Sequence, residues 1–124
     1  MKQTYSFDDV LLVPQMSAVK SRSEIDISSN LSRHRFMLPI IASPMDTVSG
    51  PRMALAMNKS SGLSVLHRYN TINEQVEMVS YIKEVGRENK IAAAIGMSGD
   101  FEARAVALYH AGVRILCVDV AHGH

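Results

Sequence analysis

Tryptophan is absent from this sequence, and cysteine occurs once, as Cys117. A single cysteine excludes a disulfide within the chain and a zinc site built from several cysteines, and it suits a reducing cytoplasm. No apolar run approaches the roughly 18 residues of a membrane-spanning helix, and the N-terminus lacks the apolar core of a signal peptide. The 13 basic and 12 acidic residues give a formal net charge of +1, which offers no field to attract nucleic acid or an anionic membrane. These absences favour a globular cytoplasmic domain without nucleic-acid or membrane partners.

What the 124 residues do contain is a series of short apolar runs, each followed by a polar loop. Amphipathic helix patterns follow the first three of these runs. The predicted strands are 38–42, 63–66, 91–95 and 113–118. The predicted helices begin at Pro51, after Thr71 and after Asp100, and they end near Ser60, Gly86 and His110.

The predicted helices carry recognisable start and stop signals. Ser49 is the expected N-cap of the first helix, with Pro51 in the first turn, where its missing N–H costs nothing. Thr71 and Glu74 have the spacing of a capping box at the start of the second helix. Gly112 stands where a left-handed residue would end the third helix. These signals fix the ends of the helices more closely than the apolar pattern does.

Apolar strands that alternate with amphipathic helices predict an α/β fold with a parallel sheet and right-handed crossovers. An open doubly wound sheet and part of a (β/α)8 TIM barrel both fit this order. No strand is followed by the Gly-x-Gly-x-x-Gly turn of a dinucleotide-binding Rossmann fold. A whole barrel needs roughly 250 residues, so residues 38–124 are expected to form its N-terminal half. Because only Asp119–His124 follow the fourth strand, with no helix, we expect the barrel to continue in a longer protein.

Residues 1–37 form a separate N-terminal segment that we expect to cover one end of the barrel. Ser6–Asp9 has the pattern of a short capped helical turn. Residues 24–28 alternate apolar and polar side chains, which predicts a half-exposed strand. Residues 28–30 are the predicted turn and residues 31–37 the returning strand, so the segment is expected to contain a β-hairpin.

Polar side chains follow each of the four predicted strands, and ligands bind at the carboxyl ends of strands in parallel α/β folds. These strand ends are Ser43–Asp46, His67–Arg68, Met97–Ser98 and Asp119–His124. Because parallel strands end at one edge of the sheet, we expect these groups to surround a common site. Asp119 has two readings: its carboxylate accepts hydrogen bonds from the vicinal hydroxyls of a ribose, or it caps a following helix.

Other polar residues have ordinary structural explanations. His122 and His124 are two residues apart, but further ligands for a metal are not evident, so we predict no metal site. Cys117 lies within the fourth strand and is expected to be an inert thiol of the core. His67 is expected to be a hydrogen-bonded residue at a strand end, and the Lys20–Glu24 run a solvated surface.

Several motifs, taken together, resemble the IMP dehydrogenase/GMP reductase family. The resemblance covers nearly the whole chain. The motifs that carry it are Tyr5–Pro14, Ser21–Glu24, Ala42-Ser-Pro-Met-Asp-Thr-Val48, Gly62–Arg68 with Glu74 and Gln75 downstream, and Ala111–His124.

The resemblance implies a (β/α)8 barrel and the NAD-dependent oxidation of IMP to XMP, through a cysteine that attacks the purine. Ser43 and Met45 would contact IMP, and Asp119, Val120 and Ala121 would bind NAD. The family's catalytic cysteine, potassium-binding residues and mobile flap would lie beyond position 124, so the segment alone is not expected to be active. The family also implies a homotetramer.

Within the family, the Asp-x-Ala-His-Gly-His ending and the Ser43–Pro44 pair favour IMP dehydrogenase. Val120 is shared with the reductase pattern, so an NADPH-dependent GMP reductase, which converts GMP to IMP, stays as an alternative. A non-catalytic nucleotide-binding half-barrel is the alternative of a different class. Most IMP dehydrogenases insert two CBS domains after the second barrel helix, whereas residues 81–90 lead here directly to the third strand. Regulation through such domains is therefore not expected.

Overall fold

The structure, a computed structural model, describes residues 3–86 and 90–123. Two short 3-10 turns, Phe7–Asp9 and Arg22–Glu24, precede the regular elements. The strands are β1 (Ser29–Leu31), β2 (His34–Phe36), β3 (Ile41–Ala42), β4 (Leu63–Leu66), β5 (Ala92–Ile95) and β6 (Ile115–Val118). The helices are α1 (Pro51–Lys59), α2 (Ile72–Gly86) and α3 (Phe101–Ala111). None of the described helices has the length and apolar character needed to cross a membrane.

The four strands β3 to β6 form one parallel sheet, in the order of the sequence. Each neighbouring pair is joined by one helix, as the alternating pattern predicted. Sequential order without reversal is the arrangement of an arc of a (β/α)8 barrel, whereas a doubly wound sheet reverses its order. The parallel α/β prediction is therefore confirmed, and β3 and β6 are the edges of the sheet within the described residues.

The two faces of this sheet bury different sets of side chains. The helices cover one face, where Leu66, Ala93 and Ile95 pack with buried residues of the three helices. On the other face, Leu63, Val65, Ala92 and Ala94 pack with Phe36 from β2. Alternation along each strand places neighbouring residues on opposite faces. The second face is therefore lined partly by small alanine side chains.

The N-terminal segment contains a hairpin whose second strand lies within the predicted range 31–37, but its first strand and its turn lie later in the chain than predicted. β1 and β2 pair antiparallel, with Asn30 opposite Arg35, and the chain turns at Ser32, whose φ is +53°. The expected strand at 24–28 is wrong. Asp26 instead accepts a hydrogen bond from the Ser28 amide and forms an ion pair with Arg35 at 2.8 Å. Local side-chain hydrogen bonds of this kind compete with strand pairing.

Ser6 and Asp9 form the predicted capping box of the first short turn. The Lys20–Glu24 run is exposed, as expected. Beyond these short turns, the prediction that residues 1–37 cover the end of a barrel stays a prediction.

The signals at the helix ends are confirmed at two helices and corrected at one. Thr71 and Glu74 form a reciprocal capping box, with the Thr71 amide 2.7 Å from a Glu74 carboxylate oxygen. Gly112 ends α3 in the left-handed conformation, with φ of +113°. The N-cap of α1 is Gly50, not Ser49, because the Ser49 hydroxyl donates to the carbonyl of Ser43 instead. Predicting Ser49 as the cap was therefore wrong by one residue.

Asp100 occupies the N-cap position of α3, but its carboxylate makes no capping bond. Both carboxylate oxygens accept hydrogen bonds from Arg104 one turn later. The sequence pattern thus located the start of α3 correctly, although the Asp100 carboxylate bonds to a side chain and not to the backbone of the first turn.

Candidate functional site

Buried hydrogen bonds of Ser49 hold the loop between β3 and α1. The Ser49 side chain is fully buried, its hydroxyl donates to the Ser43 carbonyl, and its amide donates to the Met45 carbonyl at 2.8 Å. The Ser49 carbonyl accepts from the amide of His67 at 3.2 Å, which links this loop to the next one. Ser43 and Met45 themselves stay exposed at the tip. The loop therefore presents a hydroxyl and a thioether on a fixed backbone.

The loop after β4 lies beside the first loop. A cavity of about 220 Å³ is lined by Met45 and Asp46 of the first loop and Tyr69 of the second. Tyr69 stacks on His67, with ring centroids 6.5 Å apart. His67 is only 7% exposed, and its Nδ1 has no hydrogen-bond partner among the described residues. The expectation of a hydrogen-bonded histidine therefore holds for its backbone and is wrong for Nδ1.

A buried polar network supports the second loop from the helix side. The Gln75 side chain is fully buried, and its Nε2 donates to the carbonyls of His67 and Ala94, each at 3.0 Å. Its Oε1 accepts from Nη1 of Arg104 at 2.8 Å. Arg104, which is 6% exposed, also donates to the carbonyl of Asn70 at 2.8 Å. The network fixes both ends of the His67–Asn70 loop.

Arg68, in the middle of that loop, reaches across the sheet to Asp119. Its Nε lies 3.1 Å from Oδ2 of Asp119, and its Nη2 donates to the Asp119 carbonyl at 3.1 Å. The Asp119 amide donates to the Ile95 carbonyl at 2.9 Å, which extends the β5–β6 pairing by one residue. Asp119 therefore does not cap a helix within the described residues. It is an ion-paired carboxylate at the end of β6.

The other predicted site residues at the ends of β5 and β6 are exposed, and Cys117 within β6 is half-buried. Val120 and Ala121 follow Asp119 and are exposed. Met97 and Ser98 are exposed after β5. Cys117 is half-buried, and burial, with the Asp119 charge as a smaller cause, raises the pKa of its thiol. This fits the expected inert thiol.

No group of three metal-ligating side chains occurs in the described ranges 3–86 and 90–123. His124, one of the two histidines considered as ligands, lies outside those residues. Met45 and Tyr69 share a cavity, and Asp119 is paired with Arg68 two strands further along. A thioether, an aromatic ring and a carboxylate are groups suited to an organic ligand.

Comparison with known proteins matches the sequence to one family. The sequence pattern of the IMP dehydrogenase / GMP reductase domain matches residues 4–124. The chain belongs to the IMP dehydrogenase/GMP reductase family. The members of this family are oxidoreductases that act on purine nucleotides with nicotinamide cofactors, and the parallel four-stranded sheet is consistent with part of the family's TIM barrel.

Some of the matched relatives are named IMP dehydrogenase and others GMP reductase. An inosine-5'-monophosphate dehydrogenase of Nitrosopumilus maritimus is 42% identical over 86 residues, which cover 68% of this chain and 18% of that protein. A GMP reductase of Leishmania donovani is 44% identical over 79 residues, 63% of this chain and 16% of that protein. A GMP reductase of Bacillus cereus is 28% identical over 127 residues, 100% of this chain and 38% of that protein. The chain thus spans well under half the length of these relatives.

Sequence reasoning missed Gln75 and Arg104. Each residue interrupts a helical stripe of otherwise apolar residues that faces the sheet, and that interruption is the signal that could have identified them. The role of Arg68 beside Asp119 was also missed, because residues 51 positions apart give no local signal.

Proposed function

We propose that this chain is the N-terminal half of the catalytic barrel of an IMP dehydrogenase, which oxidises IMP to XMP with NAD. The observation that carries this proposal is that Met45, Tyr69 and Asp119 all lie at the carboxyl-terminal ends of the parallel strands. Three strand spacings separate the ends of β3 and β6, about 14 Å along the sheet. That length suits a nucleotide at the β3 end and a cofactor ribose at the β6 end.

Ser43 and Met45 would bind IMP. The tip of the β3–α1 loop is exposed while its base is anchored through Ser49, so both side chains would meet the ligand without a large ordering cost. The Ser43 hydroxyl can donate or accept a hydrogen bond. The Met45 thioether, beside the cavity shared with Tyr69, offers a polarisable surface for the flat purine ring.

Asp119, Val120 and Ala121 would bind NAD. The Asp119 carboxylate suits a ribose. Among the described contacts Arg68 uses only its Oδ2, which leaves Oδ1 to accept hydrogen bonds from the vicinal hydroxyls. The exposed Val120 side chain would give the ribose an apolar flank. NAD, when bound, supplies the hydride acceptor.

The attacking cysteine and the potassium site are assigned to parts of the protein outside these 124 residues. Cys117 does not suit the role of nucleophile, because its pKa is raised and the thiolate is the reactive form. A homotetramer in the cytoplasm, and no activity of the segment by itself, complete the proposal.

GMP reductase is a second candidate, and one observation favours it. The Bacillus cereus reductase aligns with the whole chain, whereas the matched dehydrogenase of Nitrosopumilus maritimus aligns with 86 residues and the reductase of Leishmania donovani with 79. A protein without inserted domains between α2 and β5 would give such continuous alignment. The third candidate, a non-catalytic nucleotide-binding module, has no observation of its own in its favour.

Turnover assays of the natural protein that contains this chain separate the three candidates. Incubation with IMP and NAD should produce XMP and NADH, followed by absorbance at the reduced nicotinamide band. Incubation with GMP and NADPH should leave the absorbance unchanged. NADPH consumption with GMP would instead establish the reductase. Binding of IMP with turnover in neither assay would establish the module.

A further inference from the structure

We propose that Arg68 is the positioning residue that holds the Asp119 carboxylate ready for the cofactor ribose, and that Gly96 provides the gap through which Arg68 reaches it. The inference rests on the proposed function, because it takes Asp119 as a cofactor contact. It adds two residues, on two other strands, to the cofactor side of the site.

The path of Arg68 is set by the order of the strands. Arg68 follows β4 and Asp119 follows β6, so the arginine side chain must pass over the end of β5, which lies between them. It then makes two bonds to one residue: Nε to the Asp119 carboxylate and Nη2 to the Asp119 carbonyl, both at 3.1 Å. A guanidinium makes both bonds at once because its donors form a rigid planar fork. The two bonds fix the side chain and the backbone of Asp119 together.

Gly96, at the end of β5, is the residue that Arg68 crosses. A Cβ atom at position 96 would lie 3.3 Å from Nη1 and 3.6 Å from Cζ of Arg68. The backbone of Gly96 does not have a positive φ, so its conformation alone does not call for glycine. The close approach of the guanidinium is the reason that glycine suits position 96.

The surroundings of Arg68 keep it in place. The Tyr69 ring lies 5.6 Å from its Cζ, a distance at which a guanidinium is attracted to an aromatic face. On either side of Arg68, the His67 carbonyl is bound by Gln75 and the Asn70 carbonyl by Arg104. The base of the arginine is therefore anchored before any ligand binds, and its side chain is about one-third exposed.

The consequence for binding is preorganisation. A free aspartate at a strand end would have to lose rotamer freedom when the ribose binds, whereas Asp119 is already oriented, with one carboxylate oxygen occupied. Ordering a residue before the ligand arrives lowers the entropic cost of binding. Arg68 should therefore affect the affinity for the cofactor and leave the affinity for the nucleotide at the β3 end nearly unchanged.

The test uses the protein that contains this chain, with NAD and NADPH titrated separately, and steady-state kinetics in the active assay. Arg68→Gln should raise the dissociation constant and the KM for the cofactor about tenfold, and leave the KM for the nucleotide within about twofold. Arg68→Lys, which keeps the charge but not the fork, should recover about half of the loss on a logarithmic scale. Arg114→Gln, at the start of β6 and exposed, is the matched control and should bind like the wild type.

A double-mutant cycle with Gly96→Ala identifies the contact itself. The added methyl group should weaken cofactor binding about threefold when Arg68 is present and have almost no effect in the Arg68→Gln background, since its nearest atoms belong to Arg68. Equal effects of Gly96→Ala in both backgrounds would overturn the role of Gly96.

Outcomes for the inference and for the proposed function stay distinct. Cofactor binding that is unchanged in Arg68→Gln overturns the inference even if IMP is oxidised normally. A wild-type protein that binds cofactor but turns over neither IMP nor GMP refutes the proposed function alone, because the effect of Arg68→Gln is still measured by binding. A wild-type protein that binds neither NAD nor NADPH overturns the inference directly.

Discussion

Removing the guanidinium of Arg104 should destabilise the protein more than any surface substitution, because it leaves buried acceptors without donors. In Arg104→Met, the fully buried Oε1 of Gln75 loses the 2.8 Å bond from Nη1. The carbonyl of Asn70 loses its 2.8 Å bond from Nη2. Methionine keeps the apolar stem as far as the position of Nε, so the variant removes the guanidinium donors while most of the stem packing stays.

The magnitude follows from the two buried acceptors. A buried acceptor left unsatisfied costs about 1–3 kcal/mol, so a cost of about 2 for Gln75 and about 1 for Asn70 gives about 3 kcal/mol in the free energy of unfolding. The bonds to Asp100 are not counted, because that carboxylate is half exposed and water screens the pair. With an m-value of about 2 kcal/mol/M in urea, the midpoint should fall by about 1.5 M.

Urea unfolding followed by far-ultraviolet circular dichroism is the assay. Arg114→Met removes an exposed arginine that donates to the carbonyl of Val113 and lies over the Tyr109 ring. The loss of one such bond should move the midpoint by no more than about 0.5 M. Arg104→Lys should lie between the wild type and Arg104→Met, because an ammonium can still donate to one of the two acceptors. If Arg104→Met shifts the midpoint no further than Arg114→Met, the buried network does not stabilise the fold and the reasoning is refuted.

Three further predictions concern other groups. Hydrogen bonds from Thr71 lower the pKa of Glu74 from its ordinary value of 4.5. Ionised Glu74 therefore stabilises the fold above pH 4.5, and this contribution is lost as the pH falls through the lowered pKa. Glu74→Gln should flatten that part of the curve of urea midpoint against pH, and an unchanged curve would contradict this. Because burial and the Asp119 charge raise the pKa of Cys117, Asp119→Asn should speed alkylation by iodoacetamide, read by mass spectrometry of the peptide, and a slower reaction would count against it. Gly112→Ala should lower the free energy of unfolding by about 1–2 kcal/mol, since residue 112 has a φ of +113°; a neutral effect in urea unfolding would mean that the turn relaxes.

The order and type of the core elements could be predicted from the sequence because each is encoded locally. β5 is a continuous apolar run and β4 is apolar apart from Ser64. Thr71 with Glu74 marks the start of α2 within four residues. Gly112 marks the end of α3 for the same reason, since only its own backbone conformation is involved. Such signals do not depend on the rest of the fold.

The position of the hairpin and the N-cap residue of α1 could not be predicted, because both depend on competition between hydrogen bonds. Residues 24–28 have the alternation of a strand, but Asp26 finds closer partners in Ser28 and Arg35. Ser49 has the preferred side chain of an N-cap, but the Ser43 carbonyl, which is six residues earlier, receives its hydroxyl. In both cases the deciding partner is visible only in the folded chain.

The residues of the candidate site at the strand ends could be predicted, but the buried side chains that hydrogen-bond to its loops could not. Asp119 and Met45 follow apolar strands, so their placement at the carboxyl edge comes from the strand pattern alone. Gln75 and Arg104 meet only because α2 and α3 pack side by side with their polar interruptions facing each other. A sequence can show that each stripe is interrupted, but the pairing of the two interruptions is a property of the packed helices.

Polar anchors, not apolar packing, hold the loops of this site, and the geometry of the sheet explains why. A loop that leaves the carboxyl end of a strand points away from both faces of the sheet, so it has little apolar surface to bury, and its carbonyls still need donors. Ser49 meets that need for the first loop and Gln75 with Arg104 for the second. Arg68 extends the same solution from the second loop to the end of β6. The exposed ends of the sheet are thereby made rigid enough to place ligand-binding groups.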